Sequence, residues 1–233
     1  RQRNAPEGAN GHPFAMQIQS DLTPQALVPL IDALAEIAGP KIWTLHQSWQ
    51  PEQGSPVVTQ AGQYSSRSWT DWTSGFFIGL ALLEFDLTDD VRFLRLRRGK
   101  TQRHMAPHVS HFGVHDHGFN NVSTYGNLRR LMLEGRLPHD AYELHFYELA
   151  LQLSGAVQAA RYSRTSTGNG YLYSFNGPHS LFADTIRSLR ALTLAHHLGH
   201  VMLGEGERNV NLLGRAIEHA DTTARFNVYF GEA

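Results

Sequence analysis

Apolar positions along the chain recur mostly at helical spacing. After Thr23, a capping residue, and Pro24 in the first turn, Leu27, Leu30, Ile31, Leu34 and Ile37 fall on one helical face. Gly39-Pro40 is expected to end or break that helix. A long connection over 46–73 follows, with Pro51, Gly54, Pro56 and Gly62. The next helix spans 75–87 and is apolar nearly all round, which predicts burial on most faces. Thr88 or Asp89 then caps a third helix reaching about 105, just before Pro107. Further helices are expected over 125–134, 140–161, 180–198 and 205–226, with Gly135 and Gly199 as stops after the first and third of these. No segment alternates clearly with period two. The pattern predicts an all-α fold of stacked helical hairpins, without a close internal repeat.

Two polar stretches interrupt this pattern. Residues 111–127, HFGVHDHGFNNVSTYGN, have neither helical nor strand periodicity. They put His111, His115, Asp116, His117, Asn120 and Asn121 within eleven positions, and Gly113 and Gly118 add backbone freedom. A polar loop between apolar helices is where function concentrates, although a solvated connection with incidental histidines has the same composition. Residues 162–179, YSRTSTGNGYLYSFNGPH, form the second stretch. Loops 106–123 and 162–179 are expected on one rim of the hairpin stack.

Composition narrows the classes. Of 233 residues, 41% are hydrophobic, and 20 Lys and Arg stand against 21 Asp and Glu, a net charge of -1. That balance argues against a nucleic-acid or membrane-surface partner. The basic run from Arg92 to Arg103 reads as a solvated helix end, with an anion site as the lesser alternative. The chain has no cysteine, so disulfides and thiolate metal sites are excluded. No apolar run reaches membrane-spanning length, and the compartment stays open between cytoplasm and periplasm. Oligomeric state is not readable.

Two carboxylates stand out. Asp116 lies between two histidines, and Asp184 lies in the first turn of the expected 180–198 helix. Taken alone, Asp184 reads as a helix-start acid paired with Arg187 three residues on. Taken together, two carboxyl groups facing each other across a sugar are the minimal equipment for glycosidic chemistry. Trp69, Trp72, Tyr171 and Tyr173 offer stacking surface, with core packing as the alternative.

Trp72-Thr73-Ser74-Gly75-Phe76-Phe77-Ile78-Gly79 resembles the W-x-x-G-F-x-x-G stretch of the unsaturated glucuronyl hydrolases. His115-Asp116-His117-Gly118-Phe119 resembles their H-D-x-G-F segment, and Asp184, 68 residues later, is similar in place to their second aspartate. The related unsaturated rhamnogalacturonyl hydrolases share the architecture. The NGPHSLFADTIRS segment departs from the family's pattern around that second aspartate. The resemblance implies an (α/α)6 toroid of six hairpins, of which this chain would be the N-terminal part. It divides the chain into an arm at 1–22 and one catalytic domain at 23–233, incomplete at its C-terminal end.

The implied activity is glycoside hydrolysis of acidic oligosaccharides, by hydration of the double bond in a terminal 4,5-unsaturated uronic acid. Asp184 would move the proton and Asp116 would position sugar and charge. Trp72, His115, His117, Asn120, Asn121, Tyr173, His179 and Arg187 are the candidate substrate-binding residues. No cofactor and no metal are called for. Alternatives are an ordinary glycosidase such as a β-glucuronidase, a non-catalytic carbohydrate-binding protein, or a metal site built from His104, His108, His111, His115 and His117.

Overall fold

The computed structural model describes residues 21–66 and 71–229. The expected arm therefore lies outside the described residues except for its last two positions, as do Trp69 and the last four residues of the chain. The fold is mainly helical. Helix α1 (Pro24–Ser48) is capped by Thr23, whose Oγ1 accepts the Ala26 N–H at 3.2 Å. It does not end at Gly39-Pro40 but runs through both. A proline inside a helix removes one N–H and crowds the carbonyl four residues back. Here α1 docks on its neighbours from Ala35 onward, and that packing holds the helix across the weak point.

The long connection contains the hairpin β1 (Val58–Gln60) and β2 (Gln63–Ser65). Helix α2 (Ser74–Thr88) follows, and its face is two-sided. Ile78, Leu82 and Phe85 enter the core, while Phe76, Leu80, Leu83 and Leu87 point outward, against the expectation of burial on most faces. Asp89 is not the cap of the third helix but the left-handed C-cap of α2, with φ 58°. Asp90 caps α3 (Val91–His104), accepting the Arg92 N–H at 3.0 Å. The basic run is partly tied down, with Arg92 bonded to Asp90 and Arg98 to Glu143 at 2.5 Å. A short helix α4 (Ala106–Val109) leads to the polar stretch.

That stretch is a loop only over its first part, 111–116. Asp116 precedes α5 (His117–Asn121), which passes through a π-helical turn (Val122–Gly126) into α6 (Asn127–Leu133). The π turn disturbs the regular carbonyl pairing, and side chains repair it. Thr124 Oγ1 donates to the Asn120 carbonyl at 2.6 Å and Asn127 Nδ2 to the Ser123 carbonyl at 2.9 Å.

Helix α7 (Ala141–Ala160) is capped by Asp140, which accepts two backbone N–H groups. The second polar stretch contains the hairpin β3 (Tyr162–Arg164) and β4 (Gly170–Leu172). The helix expected over 180–198 is a 3-10 segment (Ala183–Ser188) followed by α8 (Leu189–His197). The last expected helix begins later, as α9 (Leu212–Asn227) capped by Asn211, after the hairpin β5 (Met202–Leu203) and β6 (Asn209–Val210). All three hairpins went unread because strands of two or three residues carry no usable alternation.

One core joins α1, α2, α3, α6 and α7 through Ile42, Leu82, Phe93, Leu128 and Leu151. A second joins α7, α8, α9 and β4 through Ala159, Leu172, Leu192 and Leu212. Among the described residues no helix is long and apolar enough to cross a membrane.

Candidate active site

Three segments meet at close range, and glycine makes two of the meetings possible. A Cβ on Gly75 of α2 would lie 2.3 Å from Asn120 Cα, and one on Gly118 of α5 would lie 2.7 Å from Ser188 Cα. Both neighbours are backbone and cannot yield cheaply. Gly118 has no positive φ, nor does Gly113, so close approach rather than backbone freedom explains Gly118. The Gly75 N–H also donates to Asn120 Oδ1 at 2.8 Å, and the Arg190 guanidinium donates to the Gly118 carbonyl. The start of α5 is thus clamped between α2 and the 3-10 segment that carries Asp184.

These segments enclose a cavity of about 690 Å³. Asp116 and Asp184 both line it, with His115 between them. His115 Nε2 lies 3.6 Å from Asp116 Oδ1 and 3.5 Å from Asp184 Oδ2, and one donor atom from each residue lies within 4.8 Å of the others. His115 Nδ1 accepts the Phe175 N–H at 3.3 Å, so the ring proton sits on Nε2, facing the two acids. The imidazole stacks on Phe175 with centroids 5.8 Å apart and meets Phe182 edge-on at 6.0 Å.

The electrostatics separate the two acids. Burial pushes the Asp116 carboxyl above the ordinary carboxylate range, against the pull of His115, Arg161, His111 and Arg187. Burial pushes His115 below the usual imidazole value, with the Asp116 charge opposing and Arg161 and Arg187 adding to it. Asp184 is more open and is bonded to Arg187, as its structural reading expects. The Arg187 guanidinium also lies 4.7 Å over the Phe119 ring and forms part of the cavity wall. Asp184 therefore belongs both to an ion pair and to the cavity.

Of the candidate binding residues, Trp72, His115 and Arg187 line the cavity. His117, Asn120 and Asn121 do not. They are buried behind it and bonded within the protein. His117 Nε2 donates to the His111 carbonyl at 3.0 Å, which leaves Nδ1 as an acceptor beside Ser154 Oγ at 2.9 Å and Asn121 Nδ2 at 3.3 Å. Asn121 Nδ2 also reaches Ser154 Oγ and the His108 carbonyl. Burial holds His117 at about 4. Tyr173 lies under the Arg161 guanidinium at 4.4 Å rather than on the wall, and His179 is exposed away from it.

Several wall residues escaped the sequence reading. Phe175 and Phe182 frame His115. Their signal was faint: Phe182 stands two positions before Asp184, and Phe175 sits in the polar stretch beside Asn176. Arg161, at the end of α7, is buried and ties the two polar stretches together, donating to the Ser174 carbonyl at 2.6 Å and to the Phe112 carbonyl. The two stretches do meet at one site.

Among the described residues, one cluster has the donors for a metal ion, and it is His115, Asp116 and Asp184 rather than the five histidines together. To ligate a metal, His115 would have to move its proton from Nε2 to Nδ1, where the Phe175 N–H already points. Arg187 competes for Asp184 as well. The donor set fits a cation poorly.

No family model matches the chain, and no curated protein matches it. Among solved structures, the chain is similar to a crystal structure of an unsaturated glucuronyl hydrolase specific for heparin, with a TM-score of 0.61 and 21% sequence identity. The shared fold is that of an unsaturated glucuronyl hydrolase. The match covers 86% of this chain and 49% of that one, so the chain spans about half the length of the structure it resembles. At that identity the likeness speaks for the fold, consistent with hairpins of the α/α toroid kind.

Proposed function

We propose that the protein is a glycoside hydrolase of acidic oligosaccharides that removes a terminal 4,5-unsaturated uronic acid by hydrating its double bond. The observation that carries the reading is the pair Asp116 and Asp184, with carboxylate oxygens within 4.8 Å on the wall of a cavity large enough for a sugar. The solved hydrolase of the same fold supports the substrate class.

The chemistry follows from the wall. Two carboxylates this close share one proton more readily than they carry two charges. Burial favours the protonated form of Asp116 relative to an ordinary carboxyl, against the pull of His115 and Arg161. Arg187 is the guanidinium within reach of a bound sugar's carboxylate. A uronate that takes Arg187 releases Asp184 from its ion pair, and the proton of the dyad becomes available to Asp184. Asp184 then protonates C4 of the double bond, water adds at C5, and the water's proton returns to the carboxylate. The hydrated sugar opens and releases the aglycone. His115 Nε2–H stabilises whichever acid is charged. Trp72 and Phe119 supply apolar surface for the sugar ring.

A second reading has one observation in its favour. The short carboxylate separation also approaches the roughly 5–5.5 Å of retaining glycosidases, which act on saturated sugars. Incubating the protein with an unsaturated uronyl disaccharide and with its saturated counterpart separates the two. Loss of the double bond's ultraviolet absorbance, with no cleavage of the saturated sugar, is the expected result. Cleavage of the saturated sugar alone establishes the second reading and overturns the first.

A further inference from the structure

A second cavity, of about 530 Å³, lies between α1, α2 and α3, and the chemistry above makes no use of it. Four carboxyl-bearing residues face it: Asp32 and Glu36 from α1, Glu84 from α2, and Asp90 ahead of α3. Arg92 is the cation on this wall, and it is committed. It bonds Asp90 at 2.6 Å and covers the Trp43 ring at 5.6 Å.

A group of acids is often no more than a solvated surface. Glu84 makes this one different. It is only 4% exposed, and its carboxyl makes no hydrogen bond or ion pair among the described residues. It sits against α1 where Gly39 leaves room, since a Cβ there would come within 2.7 Å of Glu84 Oε1. A buried, unpartnered carboxyl is costly. Burial, and then the Asp90 charge, push it above its ordinary value.

The rest of the wall adds acceptors and apolar surface. Pro40 has no N–H, so the Glu36 carbonyl loses its regular donor within α1. Trp43 and Phe93 stand edge to face at 5.9 Å and give the cavity an aromatic side. Negatively charged hydrogen-bond acceptors beside aromatic rings suit an ammonium group.

We propose that this cavity binds a small organic cation, a primary ammonium on a short apolar stem, with the ammonium on Glu84 and the stem along Trp43 and Phe93. The site is separate from the Asp116 and Asp184 cavity and stands whether or not the hydrolase reading holds.

Calorimetric titration of the protein with n-butylammonium and 1,5-diaminopentane tests it, with n-butanol as the neutral control of equal stem. The amines are expected to bind and the alcohol is not. Glu84→Gln removes the charge at constant shape and is expected to weaken amine binding roughly 10- to 100-fold. Glu36→Gln is expected to weaken it by less. Gly39→Ala sets a methyl where the Glu84 carboxyl now lies, leaves every charge in place, and is expected to shift that flexible carboxyl and weaken amine binding. No amine binding by the folded wild type overturns the proposal, as does retained affinity in a folded Glu84→Gln variant. Binding of a lysine-rich peptide without binding of the free amines also overturns it, in favour of a protein partner.

Discussion

The start of α5 has two sides that differ in chemistry although their residues are neighbours in sequence. On the cavity side, His115 and Asp116 face Asp184 and Arg187; the His115 contacts with both acids are long, and the Arg187 that pairs with Asp184 is largely exposed. On the far side, His117 and Asn121 face Ser154 and the His108 carbonyl, with short bonds that use most of their polar atoms. Both sides contain a buried histidine held neutral. One is left beside two acids and an empty volume; the other is locked. A polar cluster is available for chemistry when its groups are incompletely paired, and serves the fold when they are paired to each other.

The largest expected effect lies on the cavity side. Asp184→Asn keeps the shape and removes the proposed proton carrier, so kcat on an unsaturated uronide is expected to fall on the order of 100- to 10,000-fold. Its thermal midpoint should stay close to wild type. Near-normal turnover would return Asp184 to the role of Arg187's ion-pair partner.

On the far side, His117→Gln is expected to change the pH dependence of stability instead. Folded His117 takes up a proton only at about 4, whereas the unfolded residue does so near its ordinary value of 6.5. The unfolded chain therefore binds more protons in that window, and stability is lost as pH falls from about 6.5 to about 4. The shift corresponds to about 3 kcal/mol. Buried His219, also at about 4, acts in the same direction, and Asp116 opposes both. Urea unfolding at pH 7 and pH 4.5 should show a smaller difference for His117→Gln than for wild type. An unchanged difference, or a kcat loss as deep as that of Asp184→Asn, would erase the contrast between the two sides.

Gly118→Ala probes the seam between them. Its methyl would press on the Ser188 backbone and push the 3-10 segment away, so a loss of about 1–3 kcal/mol is expected together with lower kcat. Stability loss with full activity would show that the spacing of the acids does not depend on this contact. The smallest effect is expected for Trp72→Ala. Trp72 packs edge-on to Phe76 and Phe119 at 6.2 and 6.4 Å and is half-buried, so KM should rise roughly threefold to tenfold with little change in stability. A large fall in the urea midpoint with unchanged KM would make Trp72 a core residue.

What could be read from sequence followed the strength of local signals. The α7 bounds were legible to a residue because Asp140 is a strong cap and the apolar pattern is long. The course of α1 through Pro40 was not, because tertiary packing overrides a local breaker. The start of α5 looked like a loop because its inward face is polar, and helical periodicity is sought in apolar residues. The two acids could be named from motifs, yet their approach depends on Gly75 and Gly118 meeting backbone far away in sequence. Which of His115, His117, Asn120 and Asn121 faces the cavity is a question of helical phase, and composition alone has no phase.

The π turn between α5 and α6 bears on how this gene tolerates change in length. That turn carries one residue more than a regular α-helix would need there. Removing a single residue at Val122 or Ser123 would let the helix continue as regular α with Asp116 and His117 near their present phase, because the extra residue is what the π turn absorbs. A further residue inserted there would instead rotate what precedes it by about 100°. Asp116 and His117 would then trade surroundings, one swinging out of the cavity and the other out of its bonded pocket. The segment is therefore expected to bear the loss of one residue better than the gain of one.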